Sequence, residues 1–202
     1  MTIQEWLNND QLGIDIWTKK YRYKDETLDE WFDRVSGGDP EIRRLIVEKK
    51  FLFGGRTLAN RGTNNGSYSN CYSHGYIEDS LDGIMDAAKN IAMTFKAQGG
   101  QGLSLSKIRP KGSLIGGKFK SDGIVPFMEI FNTVTESVSQ GGSRKGALLM
   151  SLDVNHPDIE DFIDVKNDLD KVTYANISVN VDNKFMEAVR NNEEYELYFH
   201  VE

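Results

Sequence analysis

The chain is poor in the residues that make covalent or metal cross-links. Its 202 residues include a single cysteine, Cys71, and three histidines. One thiol excludes an intramolecular disulfide and a thiolate metal cluster, and His74, His156 and His200 lack the spacing of metal ligands. We therefore assign no metal to this sequence.

Positive charge and long apolar runs are also scarce. There are 24 Lys and Arg residues against 31 Asp and Glu, and the net charge is −7. Such a chain is a poor general binder of nucleic acid, because neutralising phosphates requires clustered cations. No segment approaches the roughly 18 apolar residues of a membrane span, and the start lacks a secretory signal pattern. We expect a cytoplasmic protein without a nucleic-acid or membrane partner.

The pattern of apolar residues predicts a helical region followed by an α/β fold. Residues 1–50 read as helical, and Thr27 with Glu30 has the pattern of a capping box. Beyond Phe51, glycine-rich and asparagine-rich turns come first, and strands then alternate with helices, which is typical of α/β proteins. The predicted strands are 70–77, 103–106, 147–154 and 174–181, and helices are predicted over 81–97, 125–139 and from near Pro157.

The last ten residues alternate between apolar and polar side chains and carry no polar tail. This alternation predicts a strand over 193–202, and strands need partners. We interpret it as a chain interrupted within a domain, and the alternative is an ordinary edge strand.

Two glycine-containing stretches could bring backbone close to a ligand. The turn at 98–102 follows a helix and precedes a strand, which is the reverse of a Rossmann or Walker loop. It either ends the helix or lets a ligand approach. In the stretch 139–147, glycines flank Gln140, Arg144 and Lys145. Arg144 can bind a phosphate and Gln140 could read a base, so we favour a binding role over a solvated basic turn.

Two further features add to this picture. Lys107, Arg109 and Lys111 form a second local basic cluster, which is weak evidence alone. Cys71 has polar neighbours, which favours an accessible thiol, although a lone cysteine is more often a small buried apolar residue.

Six segments resemble, in order and spacing, those of the ribonucleotide reductase catalytic subunit, from about Phe51 to the end of the chain. They are 56–63, 69–71, 79–81, 107–112, 140–147 and 155–163. The resemblance implies a helical region at 1–50 and the first part of a ten-stranded α/β barrel at 51–202, which would be incomplete.

The resemblance also implies roles for individual residues. Thr57, Asn70 and Gly100 would line the substrate site near the phosphates and ribose. Cys71 would be one of two thiols that reduce the 2′ position of the ribonucleotide and form a disulfide. The residues expected to hold a deoxynucleoside triphosphate effector are Asp79, Ser80, Leu81, Arg109 and Ile115.

Effector information would reach the substrate base through the specificity loop around Gln140 and Arg144. The helices at 81–97 and 125–139 would pair across a homodimer interface. Arg56 stands where the family usually has proline, and Gly116 where some members have arginine. No ATP-cone domain is recognisable, so we expect no overall control by ATP and dATP.

The family's radical cysteine and the partner thiol of Cys71 have no match in this sequence. We therefore expect a fragment or a split piece that is inactive alone and needs the missing C-terminal part of the catalytic subunit. The segments 109–113 and 146–150 lean towards the adenosylcobalamin-dependent class II. A class I large subunit, with a radical-generating small subunit, is the alternative, and either would use a thioredoxin-like reductant.

Two other functions fit parts of the sequence. The first is a stand-alone module that binds deoxynucleotides or ATP as effectors without catalysis. The second is an unrelated α/β enzyme with Cys71 as nucleophile, which would need a base brought close by the fold.

Overall fold

The computed structural model describes residues 1–64, 66–140, 144–168 and 170–200. The chain divides into two compact units, Met1–Asn70 and Cys71–Glu202. The domain boundary expected after residue 50 stays a prediction. None of the described helices is both long and apolar enough to cross a membrane.

The first unit is helical. Its aromatic core forms because Trp6, Trp31 and Phe32 pack in tilted and edge-on pairs, with ring centroids 5.2 to 5.8 Å apart. The capping box at Thr27 and Glu30 is confirmed. One helix was missed, because it begins within a stretch read as glycine-rich turns. The helices are α1 (Ile3–Trp6), α2 (Gln11–Ile16), a π-helical turn (Trp17–Tyr21), α3 (Leu28–Ser36), α4 (Pro40–Val47) and the missed α5 (Gly55–Asn60).

Arg34 ties this unit together. Its guanidinium lies 2.8 Å from the Glu26 carboxylate, and each side chain is only 10% exposed. The same guanidinium donates hydrogen bonds to the backbone oxygens of Tyr21, Leu58 and Arg61. The buried charge therefore connects α3 to the segments before and after it.

The second unit contains a parallel sheet with helices packed against it, as the α/β pattern predicted. In chain order the strands are β1 (Cys71–Tyr76), β2 (Gly100–Ser104), β3 (Leu114–Ile115), β4 (Phe119–Lys120), β5 (Ser139–Gln140), β6 (Arg144–Lys145), β7 (Leu148–Asp153) and β8 (Ala175–Asn180). The strands of the parallel sheet lie in the order β1-β2-β7-β8, and every neighbouring pair is parallel. The helices are α6 (Leu81–Lys96), α7 (Val125–Ser137), α8 (Ile159–Asp164) and α9 (Asn183–Asn191), with a 3₁₀ turn at Val165–Asn167.

The core of this unit lies between the sheet and its helices. Phe95 of α6, Phe131 of α7, Met150 of β7 and Phe162 of α8 are fully buried in one cluster. The apolar stripes that predicted α6 and α7 are therefore the faces that cover the sheet.

Three local predictions were wrong. β2 begins at Gly100, so part of the expected turn at 98–102 is strand. The segment between the predicted strand 103–106 and the predicted helix 125–139, where no strand was expected, contains the hairpin of β3 and β4. Residues 193–200 form no strand: the Tyr198 backbone amide donates to the carbonyl of the turn residue Asn155 at 2.7 Å, and the Asn155 side-chain amide donates to the Tyr198 carbonyl at 3.3 Å.

Replacing Arg34 by alanine is expected to lower the free energy of unfolding by about 3 kcal/mol, because it leaves a buried carboxylate without its partner. Urea denaturation followed by circular dichroism measures the change. Arg43→Ala is the matched control, since Arg43 pairs with Asp29 and Asp33 at the surface, and its cost should stay below about 1 kcal/mol. Equal losses in the two variants would contradict the assigned role of Arg34.

Candidate functional site

The thiol lies at the amino end of β1. Cys71 is the first residue of that strand, is exposed, and pairs with Gly100, the first residue of β2. Because the strands are parallel, their amino ends meet at one edge of the sheet. The structure thus brings together two of the residues predicted to meet the substrate.

The other two predicted substrate residues belong to the first unit. Thr57 lies in α5, and Asn70 is the last residue of the unit. The Arg56 guanidinium donates a 2.7 Å hydrogen bond to the Asn70 side-chain oxygen. Arg56, the departure from the family's proline, therefore orients the Asn70 amide.

A cleft of about 1000 Å³ lies at the opposite end of the strands. The carboxyl ends of β1, β2 and β7 border it, which is where open parallel sheets commonly bind ligands. Its lining includes Asp79, Lys107, Arg109, Asp153, Asn155 and Tyr198. Ser106 holds two of the strand ends together, because its hydroxyl accepts a 2.9 Å hydrogen bond from the Asp153 amide.

Asp79 and Arg109 form the charged pair of this cleft. The Arg109 Nε donates to Asp79 Oδ2 at 2.7 Å, its amide donates to Oδ1 at 3.1 Å, and Nη2 donates to the Asp79 carbonyl at 3.2 Å. Both side chains are about one-third exposed. The pair therefore holds a guanidinium in fixed orientation at the rim of a cleft, an arrangement suited to an anionic ligand.

The remaining three predicted effector residues do not line the cleft but lie within two positions in sequence of residues that do. Ser80 caps α6, because its hydroxyl accepts the Gly83 amide at 3.0 Å, and Leu81 opens that helix with its side chain exposed. Ile115 lies in β3 of the hairpin, directly after the cleft residue Leu114. Three of the five predicted residues, Asp79, Ser80 and Arg109, thus come from two loops joined by the Asp79–Arg109 pair.

The predicted specificity loop folds back on itself. β5 and β6 pair antiparallel and place Gln140 opposite Arg144, while residues 141–143 lie outside the described residues. Gly146, which follows, lies against the core: a Cβ atom there would be 2.5 Å from the Phe95 ring. A side chain at position 146 would clash with Phe95, so the close approach of the backbone to the core just before β7 requires glycine.

The turn at 98–102 has a structural explanation. Gln98 takes the left-handed conformation after α6, with φ of +63°. At Gly99 a Cβ atom would be 2.6 Å from the Tyr72 ring. The first sequence-based interpretation, that this segment ends the helix, accounts for Gln98, and close packing against Tyr72 explains Gly99. The second interpretation, approach of a ligand, stays a prediction.

Sequence reasoning assigned no binding role to His156 or Asp158. Both are buried, at 2% and 6% exposure, and both contact the segment that carries Arg109. The order His-Pro-Asp before α8 was the available signal. Within the described ranges, no group of three or more His, Cys, Asp or Glu could hold a metal ion.

Together these features describe an α/β domain with an exposed thiol at one end of a parallel sheet and a cleft with a charged pair at the other. The family model for the ribonucleotide reductase barrel domain matches residues 69–201. The chain therefore belongs to the ribonucleotide reductase family, as the sequence motifs predicted.

Individual relatives agree with this assignment. The chain is 39% identical over 158 residues to a vitamin B12-dependent ribonucleoside-diphosphate reductase of Thermoplasma acidophilum, covering 77% of this chain and 20% of that protein. It is 35% identical over 163 residues to a ribonucleoside-diphosphate reductase large subunit of Monkeypox virus, covering 78% and 21%. The chain spans about a fifth of the length of these relatives.

Among solved structures, the class Id ribonucleotide reductase alpha subunit of Actinobacillus ureae resembles the chain with a TM-score of 0.79. The match covers 94% of this chain and 36% of that one at 24% identity, and at this identity it speaks for the fold alone. The expected α/β fold with N-terminal helices is confirmed.

Gly146→Ala is expected to lower the free energy of unfolding by about 1–3 kcal/mol, because the added methyl group forces Phe95 or the loop to move. Thermal or urea unfolding measures the loss. Gly102→Ala is the control, since a Cβ atom at Gly102 meets nothing within 4 Å, and its effect should stay within about 0.5 kcal/mol. A tolerated methyl group at Gly146 would contradict the close packing.

Proposed function

We propose that the chain supplies the N-terminal part of a ribonucleotide reductase catalytic subunit, which reduces ribonucleotides to deoxyribonucleotides. The observation that carries this proposal is the strand β1, which has the thiol at its first residue and leads directly to Asp79 beyond its other end. Redox chemistry and effector binding would thus lie at opposite ends of one strand, roughly 17 Å long at 3.3 Å per residue.

Cys71 would be one of the two reducing thiols. Its exposure and its pairing with Gly100 support this role, because a reducing thiol must reach both substrate and reductant. In the reaction two thiols become a disulfide, the 2′ hydroxyl leaves as water and a 2′ hydrogen takes its place. Thr57, Asn70 and Gly100 would contact the phosphates and ribose.

The cleft at the carboxyl ends of the strands would bind a deoxynucleoside triphosphate or ATP as effector. Arg109 would meet the phosphates, and Asp79, Ser80, Leu81 and Ile115 would surround the nucleoside. The fixed guanidinium and the neighbouring Lys107 supply local positive charge in an acidic chain. Gln140 and Arg144, opposite one another in β5 and β6, would relay effector identity to the substrate base.

The radical source is proposed to be adenosylcobalamin, and the 39% identity to a vitamin B12-dependent relative supports this choice. The described residues offer no fit for that cofactor in the large cleft. The buried side-chain nitrogen or oxygen atoms without a partner are Trp17 Nε1 and Gln101 Oε1, and neither residue lines that cleft. We therefore assign no cobalamin contact and no step through cobalamin to this chain. A class I enzyme with a radical-generating small subunit is the second candidate, supported by similarity to large subunits.

The proposed partners follow from the family. They are the C-terminal part of a catalytic subunit, a second copy of the chain, a thioredoxin-like reductant, the nucleotide substrate and the effector. Leu81, Met85 and Met93 of α6 are exposed apolar residues, which supports a dimer interface there. A cytoplasmic location fits the reducing chemistry. The stand-alone regulatory module is less favoured, because the family match includes the Cys71 segment.

Calorimetric titration with dTTP, dATP and dGTP tests the effector site. We expect binding to the full chain, and Arg109→Ala should weaken it about tenfold or more, because a charge-assisted hydrogen bond is lost. Arg190→Ala on α9 is the control for removal of one positive charge and should leave binding unchanged. A folded chain that binds none of the three nucleotides would contradict the effector site.

Alkylation of Cys71 by iodoacetamide tests the substrate site. The exposed thiol should react completely in the native chain, and mass spectrometry follows the rate. A ribonucleoside diphosphate such as CDP should slow the reaction several-fold, because bound substrate would cover the thiol. Inorganic phosphate at the same concentration is the control. Equal rates with and without CDP would argue against placing the substrate beside Cys71.

A further inference from the structure

The segment from Ile108 to Ile124 carries two proposed effector residues, and its two end residues are fully buried in the core. It runs from the end of β2 to the start of α7 and contains the hairpin of β3 and β4. At the hairpin stem, the Gly112 amide donates to the Ser121 carbonyl and the Ser121 amide donates to the Ser113 carbonyl, both at 2.8 Å. Its outer strand exposes Phe119 by 71%. The position of this segment therefore depends on what holds its two ends.

One buried carboxylate holds both ends. Asp158 Oδ1 accepts the Lys111 amide at 3.0 Å, and Oδ2 accepts the Ile124 amide at 3.2 Å and the Lys111 amide at 3.2 Å. Lys111 and Ile124 stand on either side of the hairpin. The carboxylate also faces the amino end of α7, where negative charge is stabilised.

The backbone is shaped to receive this carboxylate. Gly123 has a φ of +80°, and a Cβ atom there would be 2.5 Å from Asp158 Oδ2. The carboxylate thus occupies the space that any side chain at position 123 would need. A larger residue at position 123 would displace the segment from Asp158.

His156 makes a further contact from the same turn, to Ile108, the residue before Arg109. Its Nδ1 accepts the Asp158 amide at 3.1 Å, which places the ring proton on Nε2. Nε2 then donates to the Ile108 carbonyl at 2.9 Å. The turn after β7 therefore fixes the effector segment at Ile108, Lys111 and Ile124.

We propose that Asp158, assisted by His156, is a positioning residue for the effector: it clamps the segment 108–124 so that Arg109 and the hairpin are preorganised for the nucleotide. The proposal rests on the proposed effector site. The same turn ends β7, the strand that begins just after the loop of Gln140 and Arg144. Asp158 and His156 thus connect the effector segment to the end of β7, and β7 begins just after the predicted specificity loop.

The test is dTTP titration of the full chain and of Asp158→Asn, with hydrogen exchange of the 108–124 amides. Asparagine places an N–H group where one of the two oxygens accepts, so a backbone donor loses its partner. We expect about a tenfold weaker affinity and faster exchange at Lys111 and Ile124, with exchange in β8 unchanged. Asp161→Asn is the charge control, because Asp161 contacts the same segment through the Lys111 Nζ, at 3.7 Å, and not through a backbone amide of the described residues.

Phe162→Leu, a core change in the same helix, is the stability control and should keep full affinity at a temperature where the chain is folded. If Asp158→Asn fails to fold, Gly123→Ala is the second test of the clamp. It keeps the carboxylate but displaces the segment, so it should weaken dTTP binding to a similar extent. Unchanged affinity in a folded Asp158→Asn, or in Gly123→Ala, overturns the clamp alone. A folded parent chain that does not bind dTTP overturns the effector site and the clamp with it.

Discussion

The parallel register between β1 and β2 is the constraint on which the rest of the second unit depends. Pairing Cys71 with Gly100 at one end obliges the chain to leave both strands at the other end. The residues that follow, Asp79 and Arg109, can then meet across a gap of about thirty positions in sequence. Because backbone hydrogen bonds fix this register, the thiol and the charged cleft are held apart by the length of a strand.

Burial in the core supports the strand ends and the ends of the effector segment. The faces of α6 and α7 that cover the sheet are fully buried, so the strand ends are rigidly supported. The effector segment is anchored in the same core by Ile108 and Ile124 at its ends, and polar contacts beside them add to this support. Asp158 shows how one desolvated carboxylate, satisfied by backbone amides, can add directional support to a loop whose ends are also buried in an apolar core. Such a support is directional, because each hydrogen bond specifies one donor at one distance.

The helices and strands of the two units show which features the sequence predicted and which it did not. Amphipathic stripes predicted α6 and α7 closely, since packing against a sheet requires an apolar face at helical spacing. The hairpin of β3 and β4 was missed because its strands have two residues each and carry no periodic signal. The strand expected over 193–200 is absent there, because alternation describes a possible face but supplies no partner strand. The motif order identified the family, and the family model over residues 69–201 confirmed it.

The sequence by itself determined the class of fold, the family, and the presence of a thiol and two basic clusters, because these follow from composition, spacing and local pattern. Tertiary structure alone decided that Cys71 lies beside Gly100, that Arg109 is held by Asp79, and that Asp158 closes the effector segment. Each of these contacts joins residues about thirty or more positions apart. Such contacts are set by strand register and by burial of polar groups with their partners, which a local sequence pattern does not encode.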